Sequence, residues 1–128
     1  SEITSIPGSS DVFLGGVITY NNVIKQKMLG VPSNLIEKHG AVSAPVAKSM
    51  AIGALKVFQS DWSIAISGIA GPNGGTKNKP VGLVEICIAG QNSVKSIQEN
   101  FGSYRGRDEI QKLSVVRALD ELRLFLLK

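Results

Sequence analysis

Ser67-Gly68-Ile69-Ala70-Gly71-Pro72-Asn73-Gly74-Gly75-Thr76-Lys77-Asn78-Lys79-Pro80-Val81-Gly82 lies between two apolar runs, residues 62–66 before it and residues 81–89 after it. Short apolar runs bounded by turn residues read as strands, so this stretch is a long glycine-rich loop joining two of them. Its five glycines allow positive φ and close approach of backbone to a ligand, each at an entropic cost on folding. Loops of this length inside a compact domain are commonly functional. Lys77 and Lys79 add cations to a run of small residues with free N–H groups, the composition of a phosphate or carboxylate cradle. A flexible hairpin connection with solvated lysines has the same composition and competes with that reading.

Upstream of the first strand, Ser43 is placed to cap a helix over residues 44–59, in which Val46, Met50, Ala54, Leu55 and Phe58 recur near helical spacing and form a core-facing stripe. Before it, Pro32-Ser33-Asn34 opens a short helix that ends at His39 and Gly40, and Asn21 or Asn22 caps another that runs through Met28 and stops at Gly30. The run Val12-Phe13-Leu14-Gly15-Gly16-Val17-Ile18-Thr19-Tyr20 is rich in β-formers and broken by glycines, which predicts a strand near residues 13–20. Downstream, residues 93–101 read as an exposed antiparallel strand. Residues 107–127 read as a long helix lying on the sheet, with Ile110, Leu113, Val116, Leu119, Leu122 and Leu126 in register. Helices between and after strands give an α/β fold: a single three-layer α/β/α domain with a mixed sheet, spanning residues 1–128.

Composition narrows the function. Hydrophobic content of 43% against 19% charged residues argues for a packed core over disorder. The net charge of +4 comes from fourteen basic side chains scattered along the chain, which suits a small anionic ligand better than a nucleic-acid groove. The aromatic residues do not interleave with the basic ones as a base-stacking platform requires. A lone cysteine, Cys87, excludes an internal disulfide or a multi-cysteine metal site, and its apolar neighbours make it a small buried hydrophobe. One histidine, His39, excludes a multi-histidine zinc centre. No apolar run is long enough to span a bilayer and the first residues lack a signal-peptide pattern, so the expectation is a cytoplasmic protein without membrane or nucleic-acid partners.

With so little imidazole, nucleophilic chemistry would need serine activated by lysine or tyrosine. Ser9 and Ser10, Tyr20 and Lys25 could supply such a set. Each also has an ordinary reading, as turn caps, an edge of the core and a solvated helix lysine. Arg107, opening the last helix, is placed to hold a phosphate together with the helix's free N–H groups. Pairing with Asp108 or Glu109 at the surface is its alternative.

The order of these pieces carries a resemblance. Pro7-Gly8-Ser9-Ser10, Gly15-Gly16-Val17-Ile18-Thr19-Tyr20-Asn21-Asn22, His39-Gly40-Ala41-Val42-Ser43, the glycine-rich run from Ser67 and Lys79-Pro80-Val81-Gly82 closely resemble the CinA C-terminal domain family over nearly the whole chain. The resemblance implies a nicotinamide-nucleotide amidase, which hydrolyses nicotinamide mononucleotide to nicotinate mononucleotide and ammonia without cofactor or metal. It implies Ser10 as nucleophile, Tyr20 and Lys25 as its activators, and Ser67, Gly68, Gly71, Gly74, Gly75, Lys79 and Arg107 around the substrate. Two departures stand against the family pattern. The family's domains begin earlier, with a helix, a strand and a Glu-Ser-Cys-Thr-Gly-Gly turn, whereas Ser1–Ile6 matches the end of the helix after that turn. The chain is thus N-terminally short, either a fragment or a form that depends on a partner, and unpaired edges predict a homodimer or higher oligomer. Gln111 stands where the family often has a second arginine. A nucleotide-binding or assembly module without turnover is the alternative function.

Overall fold

A computed structural model describes all 128 residues. Helices α1 (Asn22–Leu29), α2 (Ser33–His39) and α3 (Ala44–Phe58) precede strands β1 (Trp62–Gly68), β2 (Leu83–Gly90) and β3 (Val94–Asn100), and α4 (Arg107–Leu126) closes the chain. The helix boundaries follow the capping chemistry. Asn21 accepts a hydrogen bond from Val23 N at 2.7 Å, Ser43 accepts one from Val46 N, and α1 stops at Gly30 in the left-handed region.

The sheet has the order β1-β2-β3 and is antiparallel throughout, with Ser67 opposite Glu85 and Glu85 opposite Gln98. The expected mixed sheet therefore resolves into two hairpin connections with no parallel pair. The reason lies at residues 13–20, which form no strand. They are chain without a ladder partner, and Ile18 is 90% exposed. Ile69 directs both its N–H and its C=O toward β2, so alternation leaves the polar groups of Ile64, Ile66 and Gly68 facing away from it, on an open edge.

β2 is buried on both faces along its whole length. On one face Ala65, Cys87 and Ala89 meet Val46, Ala47, Met50 and Ala51 of α3, with Leu29, Val31 and Ile36 closing the side. On the other, Val84, Ile86, Ile88 and Ile97 meet Ile110 and Ala118 of α4. This is the three-layer α/β/α arrangement. Each fully buried isoleucine contributes roughly 1.5–3 kcal/mol. The buried line of α4 is Ile110, Ser114, Ala118 and Glu121, one position round from the expected leucine register; Val116 and Leu126 face solvent. Small residues at 114 and 118 let the helix approach the sheet, and two ion pairs fix it there: Arg117 to Glu99 at 2.7 Å and Lys95 to Glu121 at 2.8 Å.

At Gly53 a Cβ would stand 2.0 Å from Leu29 O, so α3 meets the end of α1 backbone to surface. Gly→Ala inside a helix ordinarily stabilises by about 1 kcal/mol. Here the sign inverts: Gly53→Ala should lower unfolding free energy by about 1–3 kcal/mol in urea titration, and an unchanged or raised midpoint would refute the packing described.

Candidate active site

Three pieces of chain meet at the end of the sheet where β1 stops: the segment entering α1, the loop 69–82, and the start of α4. Arg107, the first residue of α4, joins them. Its Nη1 donates to Gly71 O at 2.9 Å and its Nη2 to the Tyr20 hydroxyl at 3.3 Å. Lys25 sits one turn into α1, only 6% exposed, and its Nζ donates to Thr19 O at 2.7 Å and Tyr20 O at 3.4 Å. Burial pushes the Lys25 amine below its ordinary 10.5.

The loop is ordered by its own backbone. Ile69 N donates to Leu83 O and Gly82 N to Ile69 O, extending the hairpin, and Thr76 N donates to Lys79 O while Thr76 Oγ1 accepts from Lys79 N. Gly71 has φ of +79° and a Cβ there would lie 2.6 Å from Val81 Cγ1; at Gly75 it would lie 2.8 Å from Val81 N. Both glycines are thus required by the fold of the loop itself. Gly68 ends β1, and Gly74 is exposed near the loop tip.

On the opposite wall, two side chains reach the junction between α2 and α3. Ser67 Oγ donates to Ala41 O at 2.8 Å, and Lys79 Nζ donates to His39 O. Sequence reasoning singled out these two donors and missed their acceptors, because backbone carbonyls carry no residue signature. Gly40, with φ of +80°, was the available signal.

Tyr20, Lys25, Gly71 and Arg107 are thus brought together. Ser10 stands apart: it lies in the exposed turn Ser9–Asp11, and neither Tyr20 nor Lys25 hydrogen-bonds to its Oγ. None of Lys25, Lys79 and Arg107 belongs to an ion pair; the paired cations are Lys95, Arg105, Arg117 and Arg123. These three basic groups at one end of the sheet are therefore bonded to neutral oxygens only, and the charges of Lys79 and Arg107 suit an anion. No three His, Cys, Asp or Glu side chains converge as a metal centre would need. A surface groove with Ile52, Leu55 and Lys56 on its wall opens at the other end of the sheet, beside Gly90, far from this chemistry.

The family model of the CinA C-terminal domain matches residues 1–126. A CinA-like protein of Prochlorococcus marinus is 72% identical over 98% of this chain, and one of Parasynechococcus marenigrum is 55% identical over 98%. This chain spans 30% of the length of each. Among solved structures, the competence/damage inducible protein CihA of Agrobacterium tumefaciens is 41% identical with a TM-score of 0.92, over 94% of this chain and 73% of that one. A CinA superfamily protein of Escherichia coli is 29% identical with a TM-score of 0.88, over 94% and 69%.

The displaced lysine has a pH signature. Its amine is below 10.5 when folded and at 10.5 when unfolded, so between the two values the unfolded state binds more protons and stability rises with pH. The difference in unfolding free energy between the protein and Lys25→Met should shift in favour of the protein as pH climbs toward 10.5, and a flat difference across that window would contradict the burial of the charge.

Proposed function

This chain belongs to the CinA C-terminal domain family, and on that premise we propose that it binds a pyridine mononucleotide and hydrolyses its carboxamide, converting nicotinamide mononucleotide to nicotinate mononucleotide and ammonia. The observation that carries the reading is the pair of cations Lys79 and Arg107, held at one end of the sheet by neutral oxygens beside the buried amine of Lys25. Arg107 opens α4, where its guanidinium and the free N–H groups of the helix together suit an anion. In this reading Arg107 holds the 5′-phosphate, and the binding energy of that remote group orients the reacting amide.

Ser10 is the nucleophile. Its oxygen bonds to the carboxamide carbon as its proton passes to the base, Tyr20 and Lys25 being the activators and burial favouring the basic form of the lysine amine. The carbonyl oxygen becomes an oxyanion, and the N–H groups of the 69–82 loop are the donors at hand to stabilise it. Collapse of that intermediate breaks the C–N bond, and ammonia leaves with the transferred proton. Water then hydrolyses the nicotinoyl ester and regenerates Ser10. This sequence needs Ser10 to approach Tyr20, and substrate seated on Arg107 beside the Tyr20 hydroxyl is the element that closes the gap.

One observation favours a second reading, a nucleotide-binding module without turnover: Ser10 is exposed and unbonded to its activators. Ammonia release from nicotinamide mononucleotide separates the two. Turnover that falls at least about 10³-fold in Ser10→Ala, and rises in KM for Arg107→Met, supports the amidase. Calorimetric binding of the mononucleotide with no product formed identifies the module, and equal rates in Ser10→Ala remove the serine mechanism.

A further inference from the structure

Lys79 was expected among the groups that grip the substrate, yet its ammonium is engaged elsewhere. Nζ donates to His39 O, the carbonyl of the last residue of α2, a place where a helix leaves acceptors unpaired and its dipole favours a cation. The acceptor's neighbour is made to fit: a Cβ at Gly40 would stand 2.8 Å from Nζ, inside contact distance. Two residues on, Ala41 O takes the bond from Ser67, so the segment 39–41 is tied both to the glycine-rich loop and to the end of β1. The loop is tied down at its other end as well, where Arg107 holds Gly71 O. Between these two ties residues 72–78 are all exposed, and their one backbone hydrogen bond is the Thr76–Lys79 turn. A glycine-rich segment with so few contacts keeps its place only if its ends are fixed, since each residue ordered costs about 1–2 kcal/mol of conformational entropy.

We propose that Lys79 is a positioning residue, a latch that holds the glycine-rich loop against the end of α2 and thereby sets the wall of the site, and that it is not a ligand of the substrate phosphate. The loop's Gly71–Gly75 backbone is then presented at a fixed distance from Ser67, because both are referred to the same three residues, His39, Gly40 and Ala41. The kinetic arm of the test rests on the amidase reading; the exchange arm does not.

Amide hydrogen exchange at Thr76, the one backbone N–H of the segment 72–78 that is hydrogen-bonded, reads the latch directly. A hydrogen bond from a charged group is worth about 1.5–3 kcal/mol, so Lys79→Met should accelerate exchange there by about 10- to 100-fold, with α3 and β2 unchanged as the control for folding. Lys79→Arg, which can still donate to His39 O, should restore most of the protection. In turnover, Lys79→Met should lower kcat for nicotinamide mononucleotide and for its dephosphorylated nucleoside by the same factor, leaving the ratio of their KM values as it was. Exchange unchanged in Lys79→Met overturns the latch whatever the activity. A rise in KM confined to the phosphorylated substrate overturns it in favour of a phosphate contact. Absence of turnover in the unmutated protein counts against the amidase alone, and exchange then decides the latch.

Discussion

The need to cover β2 on both faces organises this protein. A strand reading Leu83-Val84-Glu85-Ile86-Cys87-Ile88-Ala89-Gly90 has almost nothing to offer water, and it lies between β1 and β3 with its full length out of solvent. Small residues fill one face, Ala65, Cys87 and Ala89, so α3 packs close there with its own alanines and Gly53. Larger ones fill the other, Ile86 and Ile88, and α4 covers them. Placing α4 on that face brings its first residue, Arg107, level with the end of β1 and with Gly71. The position of the site is thus a consequence of how the core is closed, and the arginine arrives there because the helix must lie over the isoleucines.

The elements legible in the sequence were those whose signals are local. Asn21, Ser43, Gly30 and Gly40 mark helix ends by side-chain oxygens or positive φ, and the structure uses each of them where expected. Failure came where the outcome depends on partners distant in sequence. Residues 13–20 have the composition of a strand, but a strand needs a neighbour's ladder, and none is set beside them. The register of α4 was misjudged because leucine was taken as the mark of the core. The helix instead turns Ser114 and Ala118 inward, where short side chains allow contact with the sheet, and Glu121 is held by Lys95 and Arg117. The family resemblance named site residues that local signals alone left ambiguous; it could not say which would touch, since that depends on carbonyls at Thr19, His39, Ala41 and Gly71.

Those carbonyls disclose a common device. Lys25, Lys79 and Arg107 each complete a backbone oxygen that no helix or strand satisfies, at Thr19, His39 and Gly71 respectively. A buried carbonyl left unpaired costs about 1–3 kcal/mol, so irregular chain at the end of a sheet is expensive unless donors are supplied. Carboxylates elsewhere pair with Lys95, Arg105, Arg117 and Arg123, as Glu99 and Glu121 do with Arg117. At this end the acceptors are neutral, and the charges of Lys79 and Arg107 are left without a carboxylate. The loops that make the site irregular therefore create the demand for cations, and the cations in turn create the field that draws an anion.

Lys25 shows how far that arrangement constrains the chemistry. It is buried, so the protonated amine is penalised and the neutral form, able to accept a proton, is favoured relative to a free lysine. Two carbonyls, Thr19 O and Tyr20 O, accept from it and aim the amine at the backbone that carries the Tyr20 ring. The amine is therefore positioned by the backbone of Thr19 and of Tyr20, and Tyr20 is also the residue whose hydroxyl faces Arg107. Binding of an anion to Arg107 would weaken its grip on the Tyr20 oxygen and free that oxygen for another partner. In the proposed reaction, substrate phosphate and proton transfer would meet at this one phenol, and the hydroxyl of Ser10 would come to it only once substrate is bound.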